Sequence, residues 1–270
     1  MPGMSLPTPP FCQLLPSPAP LPLPATRLVS ARFDAAQLRP EDFPDSGITP
    51  VRGVAKRQAE YLAGRLCARE ALHQLCGQAL VPGRDEDGVP LWPAGTVGSI
   101  THGAGRAAAM VALARDWRGL GIDLEKHLSA ERAARLAGEI LTPAELQRAE
   151  GLDPEAFAQR VTLTFSLKES LFKALYPLVL TRFYFHEAEL LAVAVSVARI
   201  QQNAKHTKPK KHRTSLRNGK FWTRRSISAC WSKKVKILKR SLFLWPSPKA
   251  NAHANGAIPV GAHLDSTLWL

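Results

Sequence analysis

Gly121-Ile122-Asp123-Leu124-Glu125 and, forty residues later, Phe165-Ser166-Leu167-Lys168-Glu169-Ser170-Leu171-Phe172-Lys173 decide the reading of this chain. Side chains alternate faces along a strand, so a strand through the first stretch points Asp123 and Glu125 the same way. A helix through the second puts Glu169 and Lys173, four apart, on one face. Each stretch also has an ordinary local reading. A half-buried strand often shows one polar face. Ser166-x-x-Glu169 fits a capping box, and Glu169 with Lys173 fits an i,i+4 ion pair worth about 0.3–0.5 kcal/mol. Taken together, three carboxylates and a lysine are the groups that hold Mg²⁺ and a pyrophosphate, because Mg²⁺ binds through a few carboxylates plus substrate phosphate oxygens.

The rest of the chain sets the frame. Its 270 residues, 45% hydrophobic, suffice for one large domain or two small ones. The net charge of +14 belongs to the C-terminal part: from Val193 onward 16 Lys+Arg face a single acid, Asp265, which leaves 20 Lys+Arg and 21 Asp+Glu before it. Residues 1–192 hold four lysines against 16 arginines, whereas residues 193–270 hold ten lysines and six arginines. Cys12, Cys67, Cys76 and Cys230 form no C-x-x-C pair, which argues against a disulfide framework or zinc site and for reduced thiols in a cytoplasmic protein. Met1 to Pro24 carries nine prolines and no basic residue, unlike a signal peptide. No 18-residue apolar run is present, so no membrane span is expected.

Residues 1–26 read as Pro-rich and disordered. Ala59, Leu62, Ala63 and Leu66 form an apolar stripe that predicts a helix over Val54–Leu75, with Arg65 and Arg69 off the stripe. Val97–His102 and Ala107–Ala114 read as strands joined by Gly103-Ala104-Gly105, and Arg118–Leu124 as a buried strand. Ala130–Gly138 is helical. Thr142-Pro143-Ala144-Glu145 is a helix start with Thr as N-cap, proline in the first turn and glutamate three on. A further helix is predicted from Leu163 to Tyr176, ending before Pro177, then a strand over Phe183–Leu191.

The two opening stretches resemble the signature of the 4′-phosphopantetheinyl transferases, G-[IV]-D-x-E followed by [WF]-[ST]-x-K-E-[AS]-x-x-K, at every defined position. Gly98-Ser99-Ile100-Thr101-His102, Leu62-Ala63-Gly64-Arg65, Leu141-Thr142-Pro143-Ala144-Glu145 and Phe172-Lys173-Ala174-Leu175-Tyr176-Pro177 resemble the bacterial branch that serves siderophore and fatty-acid synthesis. The resemblance implies an α+β fold of two similar halves, residues 27–117 and 118–198, with the site between them. It implies Mg²⁺ on Asp123, Glu125 and Glu169, and coenzyme A held by Arg57, Arg65, Thr101, His102, Lys168 and Lys173. Glu169 and Lys173 carry the chemistry, and Glu145 stands as an alternative general base beside Glu169 and a metal-bound water. The implied reaction moves the phosphopantetheine arm of coenzyme A onto a serine of an acyl or peptidyl carrier protein and releases adenosine 3′,5′-bisphosphate. The implied state is a monomer.

The resemblance runs from Arg27 to Leu191 and stops there. Residues 199–249 carry all 16 of the tail's basic residues and no acid. The expectation is therefore an incomplete second half followed by a basic, disordered tail over 199–270. That tail reads as the product of a frameshift, insertion or fusion, with a nucleic-acid-binding extension or a roleless tail as alternatives. An inactive or truncated relative is the competing function.

Overall fold

The computed structural model describes residues 7–15, 23–194, 197–202, 235–238 and 242–246. In chain order the elements are β1 (Cys12–Leu15), β2 (Thr26–Phe33), a 3₁₀ turn (Ala35–Gln37), α1 (Asp42–Asp45) and α2 (Ala55–Cys76). Next come β3 (Gly83–Arg84), β4 (Pro90–Leu91), β5 (Thr96–Gly103), β6 (Arg106–Leu113) and β7 (Trp117–Ile122). Then follow α3 (Ala130–Ile140), α4 (Pro143–Gln147), α5 (Pro154–Val179) and a second 3₁₀ turn (Phe185–Glu187). The last strands are β8 (Ala188–Ala194), β9 (Val197–Gln202), β10 (Val235–Leu238) and β11 (Leu242–Pro246).

Helices and antiparallel strands mix throughout. One sheet runs β1-β2-β6-β5, the other β7-β11-β10-β9-β8, and β3 pairs with β4 alone. Strand β6 lies at the centre of the first sheet and is apolar on both faces. Ala107, Ala109 and Val111 face α2, with Leu62, Leu66 and Leu72 packed in the same core. Ala108, Met110 and Ala112 face the other way, toward Leu23 and the β7 residues Leu120 and Ile122. Period-2 alternation thus makes β6 a two-sided strand between a helix and the first strand of the second sheet. The β5–β6 hairpin turns at Ala104 and Gly105, with φ of 50° and 72°. Two left-handed residues match the twist of the flanking strands.

The same alternation orients β7. Its Leu120 and Ile122 enter the core, so Gly119 and Gly121 face α5. A Cβ on Gly121 would lie 1.8 Å from the Ser170 carbonyl oxygen, and one on Gly119 would lie 2.6 Å from that of Ala174. Both contacts are to helix backbone, which cannot turn aside. Only glycine lets α5 lie this close to β7.

Several expectations are corrected. The N terminus is not simply disordered: Cys12–Leu15 pairs with Ser30–Phe33 of β2. Phe11, Cys12 and Leu23 are buried. Arg69 donates to the Pro7 carbonyl at 2.6 Å, and Trp117 Nε1 donates to that of Pro24 at 3.1 Å. Apolar residues between the prolines have a core to enter. Residues 1–6 and 16–22 lie outside the described residues.

Helix α5 begins nine residues before the predicted start, where the Asp153 carboxylate caps Glu155 N and Ala156 N and Pro154 opens the first turn. Ser166 is therefore mid-helix, so no capping box exists there. The helix also passes Pro177, which sits in its last turn. Leu180 closes that turn at φ 50°, donating its N–H to the Tyr176 carbonyl at 2.8 Å. Finally, strands β10 and β11 come from the segment expected to hold none, and β11 inserts between β7 and β10. The second sheet thus has five strands. The remainder of the basic tail lies outside the described residues.

Replacing Gly121 with alanine should drive α5 off β7 and cost about 3 kcal/mol of overpacking strain, read as a lowered urea midpoint. Gly138 is the control. It lies in α3, and a Cβ added there would meet nothing within 4 Å. Gly138→Ala should stabilise the fold by about 0.5–1 kcal/mol.

Candidate active site

Asp123 follows β7 directly and is 4% exposed. It continues the Gly119–Gly121 face, so it points at α5. Ser166 Oγ donates to its Oδ2 at 2.8 Å, and Lys173 Nζ donates to its Oδ1 at 2.5 Å. Thr101 Oγ1, from β5, donates to Oδ1 at 3.3 Å. Two elements, α5 and β5, thus converge on one carboxylate at the end of β7.

The hydroxyls of β5 also tie the two sheets together. Ile122 N donates to Ser99 Oγ at 3.1 Å, and Leu124 N donates to Thr101 Oγ1 at 3.0 Å. Each hydroxyl satisfies a backbone donor at or just past the end of β7, on an edge that no strand covers among the described residues. Thr101 thus helps to hold both Asp123 and the chain just past β7.

Glu125 and Glu169 are half-buried, and neither takes a hydrogen bond among the described residues. Burial pushes the Glu125 carboxyl up from 4.5 to about 7, and the Asp123 charge adds to this. Burial likewise raises Glu169, opposed by Lys173 and reinforced by Asp123. Among the described residues no three His, Cys, Asp or Glu side chains are gathered closely enough to hold a metal ion. The donor chemistry nonetheless suits a hard cation. All donors are oxygens, and the mutual repulsion of the carboxylates is what a divalent ion relieves.

Lys168 and Glu145 are brought together elsewhere. Lys168, 2% exposed, points away from Asp123. Its Nζ donates to the Ile140 carbonyl at 2.8 Å and to Glu145 Oε2 at 2.6 Å. Glu145 Oε2 also accepts from Thr142 N at 2.7 Å, completing the capping box of α4, and its Oε1 accepts from Leu190 N at 2.5 Å. These two charges join α3, α4, α5 and β8. In this structure both side chains are engaged in that junction rather than at Asp123. Burial pulls the Lys168 ammonium down, and Glu145 opposes that pull.

Beside Asp123 opens a cavity of about 440 Å³ between α2, the β3–β4 loop, β5 and α5. Arg57, Arg65, His102 and Lys173 line it. Arg65 is 4% exposed, with one guanidinium nitrogen buried and unpartnered among the described residues. Its guanidinium lies 5.0 Å from the Tyr61 ring centroid. A buried cation with an unused donor facing a cavity is arranged for an anion. His102 Nδ1 lies 3.8 Å from Glu60. Burial lowers the imidazole, and the Glu60 charge partly restores it.

Arg84, Trp92 and Arg182 also line this cavity, and the sequence reading misses them. They lie on loops or short strands. No periodicity marks them, and only the tertiary fold carries them to one wall.

The chain matches known protein families in two stretches. The sequence profile of the 4′-phosphopantetheinyl transferase N-terminal domain matches residues 51–112, and that of the 4′-phosphopantetheinyl transferase superfamily matches residues 119–230. The second match extends past Leu191, where the sequence reading ends the resemblance. Enterobactin synthase component D of Salmonella typhimurium is 40% identical over 165 residues, covering 60% of this chain and 67% of the relative. The 4′-phosphopantetheinyl transferase Svp of Streptomyces mobaraensis is 40% identical over 153 residues, 55% of this chain and 60% of the relative. The 4′-phosphopantetheinyl transferase Npt of Nocardia iowensis is 33% identical over 168 residues, 60% and 74% respectively.

Two outcomes follow from the charges. Lys168→Met leaves the Glu145 carboxylate buried without its cation, and should cost about 3–5 kcal/mol in urea unfolding. For Glu125 the folded pKa lies above the unfolded one, so the folded state holds its proton longer. Its contribution to stability falls as pH rises from 4.5 to about 7 and stays low above that. Glu125→Gln should therefore be more stable than the parent at pH 8, with the difference vanishing at pH 4. Thermal melts of both proteins across this range measure it.

Proposed function

We propose, for a chain that belongs to the 4′-phosphopantetheinyl transferase superfamily, that it transfers the phosphopantetheine arm of coenzyme A to a serine hydroxyl of an acyl or peptidyl carrier protein and releases adenosine 3′,5′-bisphosphate. The observation that carries this reading is the junction at Asp123: a buried carboxylate held by Thr101, Ser166 and Lys173 at the edge of an arginine-lined cavity. Relatives named as 4′-phosphopantetheinyl transferases support the reaction class.

Asp123, Glu125 and Glu169 would hold Mg²⁺. Bound there, the ion supplies Lewis-acid polarisation and a template for the pyrophosphate. The protein's own groups do the rest. Lys173, at the cavity wall, sets a compact positive charge against phosphate oxygens and moves off Asp123 to do so. The buried face of Arg65 and the exposed His102 serve the 3′-phosphate, where a guanidinium fork matches phosphate oxygens. The carrier serine loses its proton and attacks the β-phosphorus. Glu169 receives that proton. It takes no hydrogen bond among the described residues, whereas Glu145 is occupied by Thr142, Lys168 and Leu190. Catalysis is mainly positioning and electrostatics.

The reading also takes the chain as two similar halves meeting at the site. One long helix on each sheet, α2 on the first and α5 on the second, supports this. Acidic carrier proteins would dock on the basic side of the cavity. The reading places the enzyme in the cytoplasm as a monomer.

Incubating the chain with Mg²⁺, coenzyme A and an apo carrier should add the mass of phosphopantetheine to the intact carrier, as read by mass spectrometry. Asp123→Asn and Glu169→Gln should each abolish the gain, and full loading by either variant would refute the assignment. Arg65→Ala and His102→Ala should weaken coenzyme A by about 1.5–3 kcal/mol while leaving dephospho-coenzyme A nearly unchanged. Titration calorimetry with both ligands separates the cases.

A further inference from the structure

Asp87 lies in the turn between β3 and β4, on the wall of the cavity. Among the described lining residues it is the single carboxylate, facing Arg57, Arg65, Arg84, Lys173 and Arg182. It accepts from Tyr176 Oη at 3.0 Å and from Arg182 Nη2 at 3.1 Å. The Arg182 guanidinium stands 5.9 Å from the Tyr176 ring centroid. The contact joins two parts of the cavity wall, a loop ahead of β5 and the segment just past the end of α5.

We propose that Arg182 is a phosphate-binding residue of this cavity, and that Asp87 is an internal anion that holds it until coenzyme A enters. The proposal rests on the transferase reading, and supplies a binding residue that reading does not contain. Three features support it. First, a guanidinium fork accepts a carboxylate and a phosphate with the same geometry, so a phosphate oxygen can take the place of Asp87. Second, the pair is easily parted. Its side chains are 67% and 56% exposed, and exposed ion pairs are weak and screened. Third, both residues lie outside helix and strand. Arg182 can change partner without moving either sheet. Tyr176, 7% exposed and stacked on Phe172 at 5.0 Å, stays in place and keeps its bond to Asp87. The exchange trades one anion for another on a fixed cation, so an empty cavity does not carry an uncompensated Arg182 charge.

A rival account makes the pair a brace that holds the cavity open. Another lets Asp87 act only through the general field of the cavity. One double-mutant cycle separates all three. The full chain is titrated calorimetrically with coenzyme A, and KM and kcat for carrier loading are measured alongside. Arg182→Gln should weaken coenzyme A about tenfold, the loss of one charge-assisted contact. Asp87→Asn keeps an acceptor for Tyr176 and removes the carboxylate charge that holds Arg182, leaving Tyr176 beside it, so it should tighten binding about threefold. In the Arg182→Gln background, Asp87→Asn should change nothing. KM should follow these shifts while kcat stays level. Weaker binding by Asp87→Asn would establish the brace, and equal effects of Asp87→Asn in both backgrounds would establish the general field. Either result overturns the proposal, as would an Arg182→Gln protein that binds like the parent. A parent chain that binds no coenzyme A would instead sink the transferase reading, and the proposal with it.

Discussion

The approach of α5 to β7 governs this structure. Gly119 and Gly121 present bare backbone to the helix, and the Ser170 and Ala174 carbonyls occupy the space any side chain would need. Two residues further along the same face comes Asp123. Because the helix is already that close, Ser166 and Lys173, seven apart on α5, reach both oxygens of one carboxylate. Leu120 and Ile122, on the opposite face, lock β7 against Met110 and Ala108 of the first sheet. A strand pinned on both sides gives the acid a fixed position, which electrostatic catalysis requires.

Neighbouring residues of α5 are divided between a buried junction and the side of the helix near Asp123. Lys168 turns away into a buried junction with Glu145 that gathers α3, α4 and β8. Lys173 reaches the cavity wall and is part-exposed, and Glu169 takes no hydrogen bond among the described residues. A buried ion pair is costly to break, and this one sets the rotation of the helix. Two lysines with the same local motif thus meet different fates, because helical geometry sends positions five apart to different surroundings.

The cavity adds a different physics. Its wall is strongly cationic although residues 1–192 are nearly neutral. The arginines come from α2, the β3–β4 region and the end of α5, so neither composition nor local charge density announces the patch. Arg65, stacked on Tyr61 and with one nitrogen unpartnered among the described residues, and Arg182, held by an exposed ion pair, present two differently restrained cations to this wall.

What the sequence determined by itself was local in origin. Alternation on β6 and β7, the stripe of α2, the Thr142 cap and the Gly103–Gly105 turn each depend on neighbours within a few residues, and each is legible from residue type and period. The start of α5 was equally legible, since Asp153-Pro154 is an N-cap followed by a first-turn proline, although the pattern from Leu163 drew the reading past it. Motif spacing brought Asp123, Glu169 and Lys173 to one place. Tertiary structure decided the rest. It sent Lys168 and Glu145 into the interior, engaged Thr101 with Asp123 and β7, and drew β10 and β11 out of a segment whose charge argued against strands. It also placed Arg182 opposite Asp87, 95 residues apart. A side chain's role depends on which partners desolvate it and which donors fill its lone pairs, and those partners come from distant parts of the chain that no local period encodes.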